Sequence, residues 1–389
     1  MTSHTVHEDI ASSVCPLKPA PHRDRAGQAS SYALLAAGFC SWGSSIARRT
    51  LSSVCVISSK TLNYLPTALN FHATHNQGQK MKPKHICTAV SALFLAVFLL
   101  FSGALPAKAA AALFEPANFV LIRGGEFTMG SPEGEPGRDE VTALWQKNGS
   151  AYSETQHQVR LSNFSMSRYA VTVAEFRRFV EATGYRTNAE TGSGSYIWNG
   201  SEFVTKEGVN WRHGVSGNVR PQSEKNHPVL HVSWNDAVAY CQWLSSKTGK
   251  HFRLPTEAER EYACRAGSRT AFNTGAILTI QQANFVDDQK QWRSGTVPVD
   301  SFAPNAWGLY NMHGNVFEWC SDWYGGTYYD ECKAKGVVTN PAGPATGSFR
   351  VIRGGSWRYS AGNCRSAYRS YLPPDSRILN VGFRLVFVP

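Results

Sequence analysis

Negative charge is scarce in this chain: 28 Asp and Glu stand against 39 Lys and Arg in 389 residues. That imbalance would suggest a nucleic-acid partner, but its distribution argues otherwise. Residues 1–110 hold 10 basic and 3 acidic side chains, so the other 279 hold 29 and 25, a net of only +4. The basicity belongs to the leader, and no nucleic-acid partner is expected. There is no Gly-X-Y period and no sustained heptad, which excludes collagen-like and coiled-coil architectures. Internal repeats and low-complexity tracts are absent. No CxxC and no Cys/His pair at zinc spacing occurs, which removes a structural zinc site. No apolar run reaches the ~20 residues of a membrane-spanning helix.

What is present begins with an address label. Residues 81–109 read MKPKHICTAVSALFLAVFLLFSGALPAKA. Lys82 and Lys84 precede an apolar stretch from Ile86 to Phe101, and Ala107 and Ala109 supply the small residues of a cleavage site. This is the layout of a secretory signal peptide, so a periplasmic or secreted location is expected, with no stable membrane anchor after cleavage. Residues 1–80 show neither a helical nor a strand period. They are expected to be translation mis-assigned upstream of a true initiator at Met81, or an unstructured extension. Export implies an oxidising compartment in which cysteines pair. Five remain after the leader, Cys241, Cys264, Cys320, Cys332 and Cys364, so at least one has no partner within the chain.

The exported part has few long periodic segments. Val120–Met129 predicts two short strands around a Gly-Gly turn. Val173–Thr183 places Val173, Phe176, Phe179 and Val180 on one helical face, with Gly184 as its stop. The stretch 187–226 is polar and Gly-rich with little period. Ser233–Lys247 is the clearest helix, capped by Ser233 or Asn235, with Cys241 as a small buried hydrophobe. A second helix follows Thr256, where Glu259 completes a capping box. Glu257, Glu259 and Glu261 form a carboxylate cluster expected to serve as caps and a solvated face. From Asn305 onward the chain is aromatic and loop-like, and side-chain packing, disulfides or ions must hold it. Within Asn311–Glu318 an amide oxygen, backbone carbonyls and a carboxylate fall close together, which suits calcium; a plain glycine turn with a hydrogen-bonded Glu318 is the alternative. His313 is expected to pack the loop rather than to ligate or catalyse.

Read in order, the motifs are GGEFTMGS (Gly124–Ser131), HPVLHVSWNDAVAYCQWL (His227–Leu244) and RLPTEAEREYACRAG (Arg253–Gly267). They continue with PNAWGLYNMHGNVFEWCSDWY (Pro304–Tyr324), RVIRGGSW (Arg350–Trp357), CRSAYR (Cys364–Arg369) and GFRLV (Gly382–Val386). This ordered set resembles the formylglycine-generating enzyme, or sulfatase-modifying factor, family over residues 116–389. The resemblance implies one α+β domain of low regular secondary structure, related to C-type-lectin-like folds.

The best-known members of that family oxidise a sulfatase cysteine with O2 and copper. The resemblance therefore implies a peptide or protein substrate, with oxidative modification or maturation as the reaction. It also implies structural Ca²⁺ at Asn311, Gly314, Val316 and Glu318, and a second site beginning at Asn284 and Phe285 with Asp287 or Asp288 nearby. A substrate groove is implied near Phe317, Trp357 and Arg369, with Ser356 and Cys364 as catalytic candidates. Phe317 replaces the family's usual Trp. The family's copper cysteines lie three and eight residues after the Ser of its GGS motif. Here those positions are Tyr359 and Cys364, so the first copper cysteine is lacking. Counted instead from the Arg of CRSAYR, Cys364 takes the place of a structural cysteine paired with Cys264. Three readings stay open: an oxidase with an altered site, a non-catalytic binding or assembly module, and a periplasmic siderophore-maturation factor. The family's iron-dependent sulfoxide synthases are disfavoured, because their separate His-rich domain has no room here.

Overall fold

The computed structural model describes residues 114–139, 142–143, 152–291 and 293–388. The predicted extension and signal segment lie outside the described residues. Among those described, no helix is long and apolar enough to cross a membrane.

The three expected helices form where local chemistry writes them. Helix Val173–Thr183 starts at a capping box, Thr172 Oγ1 accepting from Glu175 N and Glu175 Oε2 from Thr172 N, and stops at Gly184 in the left-handed region. Helix Trp234–Thr248 is capped by Ser233, and helix Glu257–Arg265 by Thr256 with Glu259. The first two pack through aromatic rings: Phe176 stacks on Tyr240 at 5.9 Å, and Phe179 meets Trp243 at 5.4 Å. This is the main apolar core.

The two strands expected around Gly124 both form, but they join different sheets. Phe119–Ile122 pairs with Phe164–Ser167, and Gly125–Met129 with His157–Leu161. The first sheet continues through Val386–Phe387 to Phe252–Arg253, so a strand near residue 386 lies between two from earlier in the chain. A second four-stranded sheet runs in the order Arg369–Leu372, Arg350–Arg353, Phe317–Trp323, Val381–Gly382, the last pairing being parallel. The stretch 187–226, expected to lack period, contains a short helix, the hairpin Ser195–Trp198/Phe203–Lys206 and a 3-10 turn. Its strands are too short to show alternation. Trp198 and Phe203 pack on each other across the hairpin, beneath the Arg358 guanidinium. The architecture is the expected α+β domain, with long loops between short elements.

Candidate active site

The second sheet presents the loop that carries most of the candidates. Strand Arg350–Arg353 ends in Gly354 and Gly355, both at positive φ. A Cβ on Gly355 would fall 2.4 Å from the Cys364 sulfur, so only glycine lets the backbone cross over that thiol. Ser356 follows, fully buried, its Oγ accepting from Asn380 Nδ2 at 3.2 Å. The Trp357 N–H donates to the Asn315 carbonyl at 3.0 Å, and the Tyr359 N–H closes a turn onto the Ser356 carbonyl at 3.1 Å. The Tyr359 ring meets Phe317 edge-on at 5.3 Å, and Phe317 lies 6.2 Å from Tyr368. Burial raises the Tyr359 phenol above its ordinary range, and the Asn380 amide pulls it partly back.

Ser356, Trp357 and Phe317 thus come together, joined by Tyr359 and Asn380. Asn380 was not foreseen, because it lies in a segment with no motif of its own. Asn380 Oδ1 and Trp357 Nε1 are buried without a hydrogen-bond partner. An unpaired buried group costs about 1–3 kcal/mol, so this acceptor and this donor are placed to reward a bound polar group or water.

Cys364 lies against the backbone of the same turn, within reach of Ser356 and Gly314, but in apolar surroundings. It lies under Gly355 in a small apolar cluster with Ala271, Phe272, Leu278, Ala283 and Phe285. Burial pushes its thiol up to about 12. Copper(I) is held by thiolates, and the residues at this site do not fit it: one position is a phenol, and the remaining thiol is sealed beneath Gly355.

The expected Cys264–Cys364 bridge is not formed in this structure, where both residues are free thiols. The Cys264 sulfur faces Met312 O at 3.5 Å, the His313 ring at 3.7 Å and Ser366 Oγ at 3.7 Å. Ser366, two residues beyond Cys364, is thus the position that meets it. His313 packs the loop as expected. Its Nε2 accepts from Asn273 N at 3.0 Å, which leaves Nδ1 to donate to Cys364 O at 2.7 Å.

Arg369, a groove candidate, is instead fully buried in an ion pair with Glu257, at 2.7 and 2.9 Å, beneath the Tyr329 ring. Its partner comes from the carboxylate cluster expected on a solvated face. Glu257, Glu259 and Glu261 are all buried, Glu257 and Glu261 almost completely, because arginines reach them from elsewhere in the chain. A third centre joins Arg365 to Glu135 and Glu154. Burial works to raise the Glu154 pKa, but Arg365, Ser131 and Tyr152 hold it at about 2. Asp322, beside Glu257, has no guanidinium bonded to it, and burial with that neighbour pushes it up to about 7.

The first calcium candidate belongs to the same network. Glu318 receives Arg260 Nε and Arg384 Nε on Oε2 and Arg384 Nη2 on Oε1, each at 2.7 Å. Those two cations, with Arg260 first, hold its carboxyl below the usual range against the effect of burial. Asn311 donates to Val299 O at 2.9 Å, and its buried Oδ1 is unpartnered. Gly314 and Val316 sit in the turn between them. A carboxylate with both oxygens on guanidinium groups does not fit a calcium ion. At the second candidate, Asn284 is buried with an unpartnered Oδ1 and Phe285 follows it. No carboxylate answers that oxygen: Asp287 turns to cap the Gln291 N–H at 2.7 Å, and Asp288 is exposed.

Residues 105–388 match the family described as the sulfatase-modifying factor enzyme 1-like domain. The chain is 39% identical over 322 residues to the formylglycine-generating enzyme of Streptomyces coelicolor, covering 72% of this chain and 95% of that one. It is 38% identical over 300 residues to the formylglycine-generating enzyme of Bos taurus, covering 69% and 74%. Among solved structures, PvdO from Pseudomonas aeruginosa superposes with a TM-score of 0.54 at 31% identity, over 70% of this chain and 94% of PvdO. The chain belongs to the sulfatase-modifying factor family of formylglycine-generating-enzyme-like proteins.

Proposed function

We propose that this chain is an exported member of the family that acts in the maturation of a peptide or protein substrate, at an altered site around Ser356, Trp357, Phe317, Tyr359 and Asn380. The observation that carries the reading is that neither copper position offers an open thiol. The thiol lies under Gly355 at a pKa near 12, while the position nearer Ser356 holds the Tyr359 phenol. The unpartnered Asn380 Oδ1 and Trp357 Nε1 support a site that recognises polar groups of a substrate. The relatives named formylglycine-generating enzymes support a protein substrate, and the predicted signal segment supports export.

The test uses the full chain produced with its own leader. Expected results are cleavage within the leader and recovery outside the cytoplasm. Cys364 should resist alkylation in the folded protein, and a cysteine-containing sulfatase peptide should gain no aldehyde on incubation with copper(I) and O2. Copper-dependent aldehyde formation that disappears in Cys364→Ala would defeat the altered-site reading. A partner captured with Ser356→Ala and with wild type alike, and released unchanged in mass, would favour the binding-module alternative.

A further inference from the structure

The loop that was expected to close around calcium is held by two arginines. Glu318 is the only carboxylate in the segment Asn311–Glu318, and both its oxygens are bonded to guanidinium nitrogens. Two backbone oxygens of the loop, neither of them the Gly314 or Val316 carbonyl, are engaged in the same way. Arg260 Nη2 donates to Met312 O at 3.1 Å, and Arg384 Nη2 to Tyr310 O at 2.9 Å. Both arginines are essentially inaccessible to solvent. Space has been made for one of them, because a Cβ on Gly354 would lie 2.8 Å from Arg260 Nη2.

Calcium requires six to eight oxygen ligands and, for tight binding, surplus negative charge. Here that surplus is missing. Two unit positive charges already face one carboxylate, and the other buried glutamates are paired with arginines of their own region: Glu257, Glu259 and Glu261 with Arg369, Arg253 and Arg353, and Glu135 and Glu154 sharing Arg365. A divalent cation entering this loop would meet two fixed guanidinium groups at close range in a poorly screened interior. Asn311 Oδ1, buried and unpartnered, is the one neutral oxygen of the set left open, and an amide oxygen alone adds no negative charge.

We infer that Arg260 and Arg384 occupy the role of a divalent cation in the loop Tyr310–Glu318, and that this chain closes that loop without calcium. A guanidinium pair offers directed donors to a carboxylate and to carbonyls, the kinds of oxygen that a hard ion would gather. The loop is therefore locked by covalently attached cations whose occupancy does not depend on calcium concentration or on chelators.

The experiment is a calcium assay of the purified full chain by atomic emission, with thermal melts in EGTA and in added calcium chloride. The expected result is no stoichiometric calcium assignable to this loop and a melting temperature unchanged by either addition. Arg260→Met should lower the melting temperature clearly, and Arg260→Lys should lower it less. One calcium per chain that is lost in both Asn311→Ala and Glu318→Gln, with a fall in melting temperature on chelation, would overturn the inference. So would an Arg260→Met protein that melts like wild type. Calcium that survives those two substitutions and disappears in Asn284→Ala belongs to the other loop and leaves the inference standing. Should Arg260→Met fail to fold, the calcium content of the wild-type chain still decides.

Discussion

Two regions of this molecule are equally buried and are built on opposite chemistry. Around helices Val173–Thr183 and Trp234–Thr248 the interior is apolar and aromatic, with Phe176, Phe179, Tyr240 and Trp243 in contact. Around helix Glu257–Arg265 and the second sheet it is ionic, with Arg260, Arg353, Arg369 and Arg384 fully buried on Glu257, Glu261 and Glu318. Apolar packing is tolerant of position: side chains of the right size settle into several arrangements. A buried ion pair is intolerant, because any other arrangement strands a charge. In the second region the arginines also hold loop backbone outside the sheet, Arg260 on Met312 O and Arg384 on Tyr310 O, so position-specific bonds fix loops that no strand ladder reaches.

The contrast can be broken most directly at Glu318. Glu318→Gln leaves Arg260 and Arg384 buried with no anion, and urea unfolding should show a loss of about 4 kcal/mol. A loss below about 1 kcal/mol would mean that the ionic region is no more exacting than the apolar one. Leu244→Ala, in the apolar region, should cost about 3 kcal/mol through lost contacts and a residual cavity. That cost should be the same at pH 4 and pH 7, which the ionic substitutions would not match.

Acid titration sharpens the same point. The Glu154 pKa lies at about 2, below its ordinary value of 4.5, so its contribution is complete above 4.5 and is lost as pH falls toward 2. Asp322 has the opposite sign. Raised to about 7, it contributes stability that is complete below about 4 and is lost as pH rises through 7. Glu154→Gln should flatten the acid limb of the stability profile, and Asp322→Asn the limb between pH 4 and 7. A steep acid limb that persists in Glu154→Gln would place the titrating group elsewhere.

Local substitutions should not distinguish the two regions. Thr172→Ala and Thr256→Ala each remove one capping box, and each should cost about 1 kcal/mol. Unequal costs would show that tertiary context reaches into the caps. Smallest of all, Glu126→Gln breaks an ion pair with Arg160 whose side chains are about half exposed, and should shift stability by less than about 0.5 kcal/mol.

Much of the fold was legible because its signals are short-range. Thr172 with Glu175, Ser233 with Asp236 and Thr256 with Glu259 are capping boxes written within four residues, and Gly184 ends its helix as read. The candidate site was legible in part. The GGS motif located Ser356 and Trp357, and the calcium-like loop located Glu318. Two assignments failed for one reason. Cys264 was matched to Cys364 by counting along the chain, whereas its sulfur meets Ser366, because the turns after Ser356 set which side chain faces helix Glu257–Arg265. Glu257 looked solvated because its arginine is absent from the helical repeat, Arg369 reaching it from 112 residues away; Glu261 has Arg265 one turn on, but it is Arg353, from 92 residues away, that completes its burial.

The sequence by itself determined the family, the class of fold, the helices with their caps and the loop that carries Ser356. These are properties of neighbours along the chain, fixed by the period of a helix and the reach of a side chain to its own backbone. Tertiary structure alone decided that Cys364 is sealed beneath a glycine, that Asn380 joins Ser356, and that Glu318 answers two arginines lying 58 and 66 residues away. Each of those outcomes depends on which charges and thiols are deprived of water together, and only the packed chain establishes that.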